Sequence, residues 1–580
     1  AGQLWLAFQE AGEVDFIEIA SRAGLALGGD DAPTDLAQAL DYRIRHLLVD
    51  EFQDTSPTQV ELLKRLTAGW MPDDGRSLFL VGDPMQSIYR FRKADVGLFL
   101  DVRADGLGEL PVEPLRLYRN NRSRRPVVDW VNGTFARVFA PEDDIPSGAI
   151  RYRESAATKD EENEDGDAGV TAHALVVEKG GEVELAEARE ILAIIDAERA
   201  ADPGRQIAVL VRARDHLSAL VREIRRHRPE LRFTAVEMER LNERQPVQDL
   251  LSLTRALLHR GDRVCWLAIL RAPWCGLTLA DLHAIAAEDH VSTIWHLVND
   301  ADRVAKLSPD GRSRLARFVD VVARALRQQG RSTVRRWVEG TWTLLGGPAC
   351  LRGATDLADA TAFLDLLDEL EAGGRLTLAQ LEKEAARLYA APDALADGTL
   401  QFMTLHKAKG LEFDTVILPG LNRKTGGADT PLMRWEEVIV GGREHLVAAP
   451  MKRRRDRDDA ETPYKWLNRL EQRREANEAA RVLYVGATRA ICRLHWVAAV
   501  EANAKGEAKP RAGSLLELLW PAVSGEFEAV GVMTMEDAVS GRGFDFAPKL
   551  LRLARPVPVA LPAAAPPPPP ESGGAAGETG

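Results

Sequence analysis

Along the chain, short wholly apolar runs alternate with longer stretches in which apolar residues recur every three or four positions. Five short runs read as strands buried on both faces, because they lack the in–out alternation of a half-exposed strand. They are HLLV (46–49), LFLV (78–81), IAVLV (207–211), TVILPG (415–420) and LHWVAA (494–499). Behind the first, Thr55 or Ser56 can cap a helix that has Pro57 at its first position and Val60, Leu63 and Leu66 on one face. Leu185, Ala188, Leu192 and Ile195 repeat in the same way ahead of IAVLV. Strand and helix alternating in this order predict an α/β architecture with parallel sheets.

Three shifts break the pattern. KDEENEDGD (159–167) is acidic and reads as a solvated loop joining two domains. From Arg260 to Gly398 strand signals vanish and helical periodicity takes over, as in RFVDVVARAL and ATAFLDLLDELEA, which predicts a helical insertion. The end, PVPVALPAAAPPPPPESGGAAGETG, is Pro-rich and then Gly-rich and cannot bury a core.

Composition narrows this picture. With 580 residues the chain is too long for one hydrophobic core. Its formal charge of −13, from 75 basic and 88 acidic side chains, excludes a generally basic nucleic-acid coat but permits a local basic channel. The four cysteines, Cys265, Cys275, Cys350 and Cys492, form no CxxC pair, which argues against a disulfide framework or structural zinc and fits a reducing cytoplasm. No apolar run approaches the roughly 18 residues of a membrane helix.

The chemistry is concentrated where apolar runs end. HLLVDEFQDTS (46–56) puts carboxylates at the carboxyl edge of a parallel sheet, where open α/β folds bind ligands. In a nucleotide hydrolase Asp50 would hold Mg²⁺ through water and Glu51 would orient and deprotonate the attacking water. A bare Asp-Glu pair is equally a polar turn before a helix cap; the whole DEFQDT string is far more specific. LFLVGDPMQSIYRFRKADV (78–96) repeats the arrangement. The Gln86 amide, which can donate and accept, suits a γ-phosphate sensor. Tyr89 and Phe91, interleaved with Arg90, Arg92 and Lys93, offer stacking and charge to single-stranded bases.

These two segments, with RLYRNNRS (116–123), TLHKAKGLEFD (404–414) and ARVLYVGATRA (480–490), occur in the order of the second to sixth motifs of a known family. The sequence resembles the superfamily-one DNA helicases of the UvrD/RecB type. The third motif and LRAPWCGL (270–277) look most like the RecB or AddA branch, the motors of recombination helicase–nucleases. The resemblance implies two RecA-like P-loop-NTPase-type domains, the first incomplete, with a helical insertion domain in the second. It implies a remnant of helical subdomain 1B at 1–40, domain 1A at 41–150, an acidic linker at 151–170, and domain 2A at 171–259 and 399–520 around a 2B insertion at 260–398, with linker and tail at 521–580.

By motif, Asp50 matches the metal-holding acid, Glu51 the base and Gln86 the γ-phosphate sensor. Arg122 and Arg489 match two arginine fingers reaching the phosphates from opposite sides of the cleft between the motor domains. Glu412 matches the ribose contact, and Gly410 a point of close backbone approach. Tyr89, Phe91 and Arg92 match single-strand DNA contacts, while Thr404 and His406 face DNA or couple it to ATP. Phe91 stands where the family often has Trp. The implied cofactors are ATP and Mg²⁺. The implied partners are single-stranded DNA, double-stranded DNA being unwound and a helicase–nuclease partner subunit, with no membrane. Movement would run 3′ to 5′. An ATPase-inactive DNA-binding or scaffold protein of such a complex is the alternative.

Two departures stand out. Residues 1–49 contain no GxxxxGK[ST], whose amides and lysine cradle phosphates in this family, so the chain reads as a motor lacking its amino-terminal half-domain, by truncation or by loss. No acid–acid–lysine cluster precedes the proline tail, so no nuclease activity is expected of it. The basic run KRRRDRDD (452–459), mixed with aspartates, reads as an exposed charged loop or helix start.

Overall fold

The first apolar run forms the strand His46–Val49, paired in parallel with Ser77–Leu80 in the register His46↔Ser77 to Val49↔Leu80. Helix Pro57–Leu66 makes the crossover between them, and Phe52, Val60, Val102 and Leu107 form the small core beneath. Helices Gly2–Ala11, Phe16–Leu27 and Asp35–Arg43 precede this pair. Arg65 ties the second of them down, donating from Nη1 to the Gly24 and Gly28 carbonyls at 3.0 Å each. The computed structural model describes residues 2–29, 32–159, 169–228, 230–235, 240–389, 396–424, 431–440, 443–451, 462–503, 506–533 and 552–554.

The second sheet is larger. Val532–Met533, Gly169–Val177, Ala490–Glu501, Phe413–Leu418, Ile207–Val211 and Leu400–Thr404 lie side by side in that order, every pair parallel. Ile207–Val211 is buried at all positions, which explains its unbroken apolar sequence. Helix Val183–Ala201 buries Ile191, Ile194 and Ile195, and carries Glu198 into the interior. There the Glu198 carboxylate accepts from Arg205 Nη1, Thr415 Oγ1 and Arg493 Nη1, each at 2.8 Å.

The chain divides into two compact units, residues 1–234 with 396–542, which holds both sheets, and 235–395 with 543–580. The second is helical. Its core takes in Trp266, Phe318, Val338, Phe363 and Leu381. Helix Gln245–Leu258 contributes Val247, Leu250, Leu253 and Leu257 to that core, so the helical block begins ahead of the expected residue 260.

Other expected boundaries also move. Strand Arg119–Arg124 and helix Arg125–Val138 pack with the second sheet rather than the first: Ser123 Oγ donates to the Ala490 carbonyl at 2.7 Å, and the helix packs against helix Leu515–Glu528. The segment after helix Arg125–Val138 returns to helix Val96–Asp105, where Arg103 Nη2 donates to Asp143 Oδ2 at 3.1 Å. Within the supposed linker, Ala156–Lys159 is a strand paired with Arg119–Arg124. Residues 160–168, the rest of the acidic segment, lie outside the described residues, as does the basic run at 452–459. Past 520, helix Leu515–Glu528 buries Leu519, Val523 and Phe527, and Val532–Met533 adds to the sheet, so structure extends beyond the expected linker start. Among the described residues no helix is long and apolar enough to cross a membrane.

Candidate nucleotide and nucleic-acid site

The strands His46–Val49, Ser77–Leu80 and Leu400–Thr404 deliver their motifs at their carboxyl ends, whereas Arg122 lies within Arg119–Arg124 and Glu412 and Arg489 precede Phe413–Leu418 and Ala490–Glu501. Past Val49 the backbone turns sharply: Glu51 takes a left-handed conformation (φ 53°), and Asp50 Oδ1 accepts the Glu51 N–H at 2.9 Å. The turn is locked from the neighbouring strand. Phe52 N–H donates to the Val81 carbonyl at 2.8 Å, and the fully buried Gln53 accepts from Asp83 N–H at 3.0 Å while its amide nitrogen donates to Glu51. Gly82 makes this approach possible, since a Cβ there would stand 2.3 Å from Gln53 Oε1 and 3.1 Å from the Gln53 backbone nitrogen. Gln53 and Asp83 are thus the supports of the carboxylate pair, roles the motif strings alone do not reveal.

Gln86 follows on a short 3₁₀ turn. Its Nε2 donates to Asp83 Oδ2 at 2.8 Å, which leaves Oε1 turned to Arg489 Nη2 at 3.2 Å. Burial pushes the Asp83 carboxyl up, against the hydrogen bonds from Gln86 and Met85. Arg489 is 1% exposed. Its other hydrogen bonds run to the Val485 and Leu411 carbonyls and the Thr488 hydroxyl, at 3.0, 3.2 and 3.2 Å. Desolvation lowers the guanidinium to about 10, so it stays charged at neutral pH. A buried cation satisfied only by neutral acceptors is an environment waiting for an anion.

Arg122 and Arg489 stand on the same side. Arg122 comes from Arg119–Arg124, and its Nη1 lies 3.4 Å from the Thr488 carbonyl, one residue from Arg489; the expectation of opposite walls is corrected. Arg122 Nε also donates to Glu412 Oε2 at 2.9 Å, so the carboxylate expected at a ribose is here an arginine partner. Gly410 has φ 85°, and a Cβ there would meet nothing within 4 Å; its conformation, not crowding, calls for glycine.

Lys409, beside it, joins the site although the motif reading does not single it out. Its ammonium pairs with Asp54, lies 3.2 Å from Glu51 Oε2 and donates to the Gln86 carbonyl at 3.0 Å. The available signal is the second lysine in HKAKG, three residues past His406. Nζ also lies 5.1 Å from the Tyr89 ring centroid, joining the carboxylates to the aromatic cluster.

In that cluster Tyr89 and Phe91 meet edge-on at 5.8 Å, Phe91 meets His406 at 5.6 Å, and Arg92 lies over both Tyr89 and Phe91 at 5.0 and 5.5 Å. Phe91 is 66% exposed, an unusual placement for a large aromatic side chain outside a binding surface. Burial lowers His406, so the ring is neutral at pH 7; its carbonyl accepts from Tyr89 Oη at 3.4 Å. Thr404 ends its strand, its hydroxyl 3.4 Å from the Lys407 nitrogen. Arg90, expected to face bases, is turned away: its guanidinium pairs with Glu471 and its N–H donates to Glu478 at 3.1 Å. Arg481 holds the same junction from the sixth motif, donating at 2.6 Å to both the Ser87 and Gly148 carbonyls. A cavity of about 1510 Å³ opens beside Tyr89, Phe91 and Arg92 and reaches Glu51, Asp54 and Lys409. Among the described residues no cluster of three metal-ligating side chains occurs.

Two parallel α/β sheets, with the polar motifs of both drawn together by the contacts of Lys409 and Arg489 with Glu51 and Gln86, fit paired RecA-like domains. The family model for the UvrD/REP helicase N-terminal domain matches residues 3–106, and that for the UvrD-like helicase C-terminal domain matches 115–305 and 357–501. The chain belongs to the UvrD-like helicase family. It is 25% identical over 539 residues to the A subunit of the ATP-dependent helicase/nuclease of Lactococcus lactis subsp. lactis, covering 81% of this chain and 42% of that protein. To the same protein of Exiguobacterium sibiricum it is 27% identical, covering 88% and 45%, and to that of Pelotomaculum thermopropionicum 28%, covering 67% and 36%. The chain thus spans less than half the length of these relatives. The family boundary at 115 agrees with the packing of strand Arg119–Arg124.

Proposed function

We propose that this chain carries part of an ATP-driven DNA helicase of recombinational repair that moves 3′ to 5′ on single-stranded DNA beside a helicase–nuclease partner subunit. The observation that carries this reading is the chain of contacts from Glu51 and Gln86 through Lys409 and Arg489 to Tyr89, which links hydrolytic side chains to a stacking surface. The donor set fits a nucleotide with Mg²⁺: Asp50 would hold the metal through water, Gln86, Arg122 and Arg489 the terminal phosphate, and Glu412 the ribose once released from Arg122. Bound ATP would supply the free energy of phosphoryl transfer. Glu51 orients and deprotonates water, and the two guanidiniums neutralise developing charge, an effect of roughly 10³–10⁵ in rate in related chemistry. Tyr89 and Phe91 stack bases at about 1–3 kcal/mol each.

Binding of a labelled oligothymidylate, followed by anisotropy, tests the nucleic-acid half. Affinity should fall steeply between about 50 and 200 mM salt, and Tyr89→Ala with Phe91→Ala should weaken it by roughly 5- to 150-fold per lost stack. Binding indifferent to both substitutions would sink the assignment. The 580 residues contain no GxxxxGK[ST], so this polypeptide alone should hydrolyse ATP slowly or not at all, and ready DNA-stimulated hydrolysis would overturn that. The second reading is an ATPase-inactive DNA-binding scaffold. Under it, Glu51→Gln in the complete protein leaves function intact; under the first, it abolishes unwinding.

A further inference from the structure

The segment LRAPWCGL, distinctive in the sequence, takes no part in the site above. It closes helix Arg263–Arg271 in a tight turn, with Arg271 Nη1 donating to the Leu277 carbonyl at 2.9 Å and Gly276 at φ 69°. The turn leaves the carbonyls of Pro273 and Cys275 available, and both are used. Leu553 N–H donates to the Pro273 carbonyl at 3.1 Å, while Arg314 Nη1 reaches the Cys275 and Leu553 carbonyls at 3.3 and 3.2 Å. A short segment almost three hundred residues away along the chain is therefore held by its backbone in both directions, as an extended peptide is held at a sheet edge.

Side chains add selectivity. Leu553 packs against the core of the helical unit. The bare backbone at two glycines makes room: a Cβ on Gly346 would stand 2.9 Å from Leu553 Cδ1, and one on Gly276 2.9 Å from Arg552 Cγ. Arg552 Nη1 pairs with Asp310 Oδ2 at 3.0 Å, on the carboxylate that Arg314 Nε also holds. The groove thus reads a cation followed by a branched apolar side chain.

We propose that the Pro273–Leu277 turn, with Arg314 and Gly346, is a recognition site for an extended Arg–Leu peptide, filled by the chain's own Arg552–Leu553 as a releasable strap on the helical unit. A contact this small is weak between separate molecules, and covalent attachment keeps it occupied by raising the effective concentration of the segment.

The test is a fluorescent peptide of residues 548–558 added to the full chain. The chain carrying Arg552→Glu and Leu553→Ala has its site vacated and should bind the peptide at least about tenfold more tightly than the wild type. A peptide with Leu553→Ala should not bind, and Arg314→Ala in the vacated chain should weaken capture, with circular dichroism confirming that the helices persist. Equal binding by wild-type and vacated chains, or equal binding of the Leu553→Ala peptide, overturns the proposal.

Discussion

The two parallel sheets use similar apolar runs to opposite effect. In Ile207–Val211 every side chain is buried; in His46–Val49 none is, and Leu48 is 71% exposed. Ser77–Leu80 repeats the exposed pattern, with Phe79 at 52%. The difference lies in neighbours, not in composition. The central strand has a parallel partner on each side and helices against its faces, whereas the first pair has one small core on one face. Yet the exposed pair carries the carboxylates, the γ-phosphate sensor candidate and the aromatic cluster. In this molecule the candidate site sits on the thinner support.

The largest expected effect measures that contrast directly. Leu210→Ala, at 1% exposure, should cost about 2–5 kcal/mol in chemical denaturation. Leu48→Ala should change stability by no more than about 0.5 kcal/mol. A comparable loss at both positions would mean that the outer face of the first pair is covered in solution.

How much of this the sequence disclosed follows the same line. Strand positions were legible to within a few residues, 207–211 as expected and 413–418 for 415–420, and both of these are buried; the runs at 46–49 and 77–80 also form strands, but the expected burial on both faces fails there. Arg119–Arg124 was not legible as a strand. It forms a two-stranded pair with mostly exposed or half-buried side chains, so RNNRSR needs no apolar period. In the candidate site, the motif strings name the residues expected to bear chemistry but not those that position them. Gln53, Asp83, Lys409 and Arg481 act through hydrogen bonds to partners remote in sequence, which leave no spacing to read.

Glycines sharpen the comparison at a smaller scale. Gly82 in the first domain is demanded by crowding, and Gly410 in the second by its φ of 85° alone. Gly82→Ala should cost about 1–3 kcal/mol, because Gln53 is fully buried and cannot yield without releasing Asp83 and Glu51. Gly410→Ala should cost about 1–2 kcal/mol, the ordinary penalty of a left-handed residue. Denaturation midpoints with oligonucleotide affinity separate the cases: Gly82→Ala is expected to disturb the aromatic cluster downstream, and Gly410→Ala to leave it in place. Reversed effects would shift the crowding to the second domain.

The smallest effect concerns acid, and its sign differs between the sheets. At Glu198 burial alone would raise the carboxyl, but the His495 ring at 3.3 Å and hydrogen bonds from Arg205, Thr415 and Arg493 outweigh it and hold the group well below the usual range. At Asp83 burial wins and the carboxyl is raised. A depressed pKa contributes stability that is present above the unfolded value, about 4.3 for Glu, and is lost as pH falls through the folded one. A raised pKa contributes stability that is complete below the unfolded value, about 3.9 for Asp, and is lost as pH rises through the folded one. Glu198→Gln should therefore destabilise the chain by a constant amount from pH 7 to about 4.3, with the deficit shrinking in stronger acid. Asp83→Asn should gain on the wild type as pH rises from about 3.9, by at most about 1.4 kcal/mol per pH unit for one proton. Its lost second acceptor adds only a fixed offset, so the slope of denaturation free energy against pH is the quantity to measure. A flat slope for Asp83→Asn would mean that Asp83 is solvated in solution, and that the first sheet holds its site even more loosely than its exposed strands indicate; a slope of the same sign as that of Glu198→Gln would mean that the hydrogen bonds from Gln86 and Met85 outweigh burial.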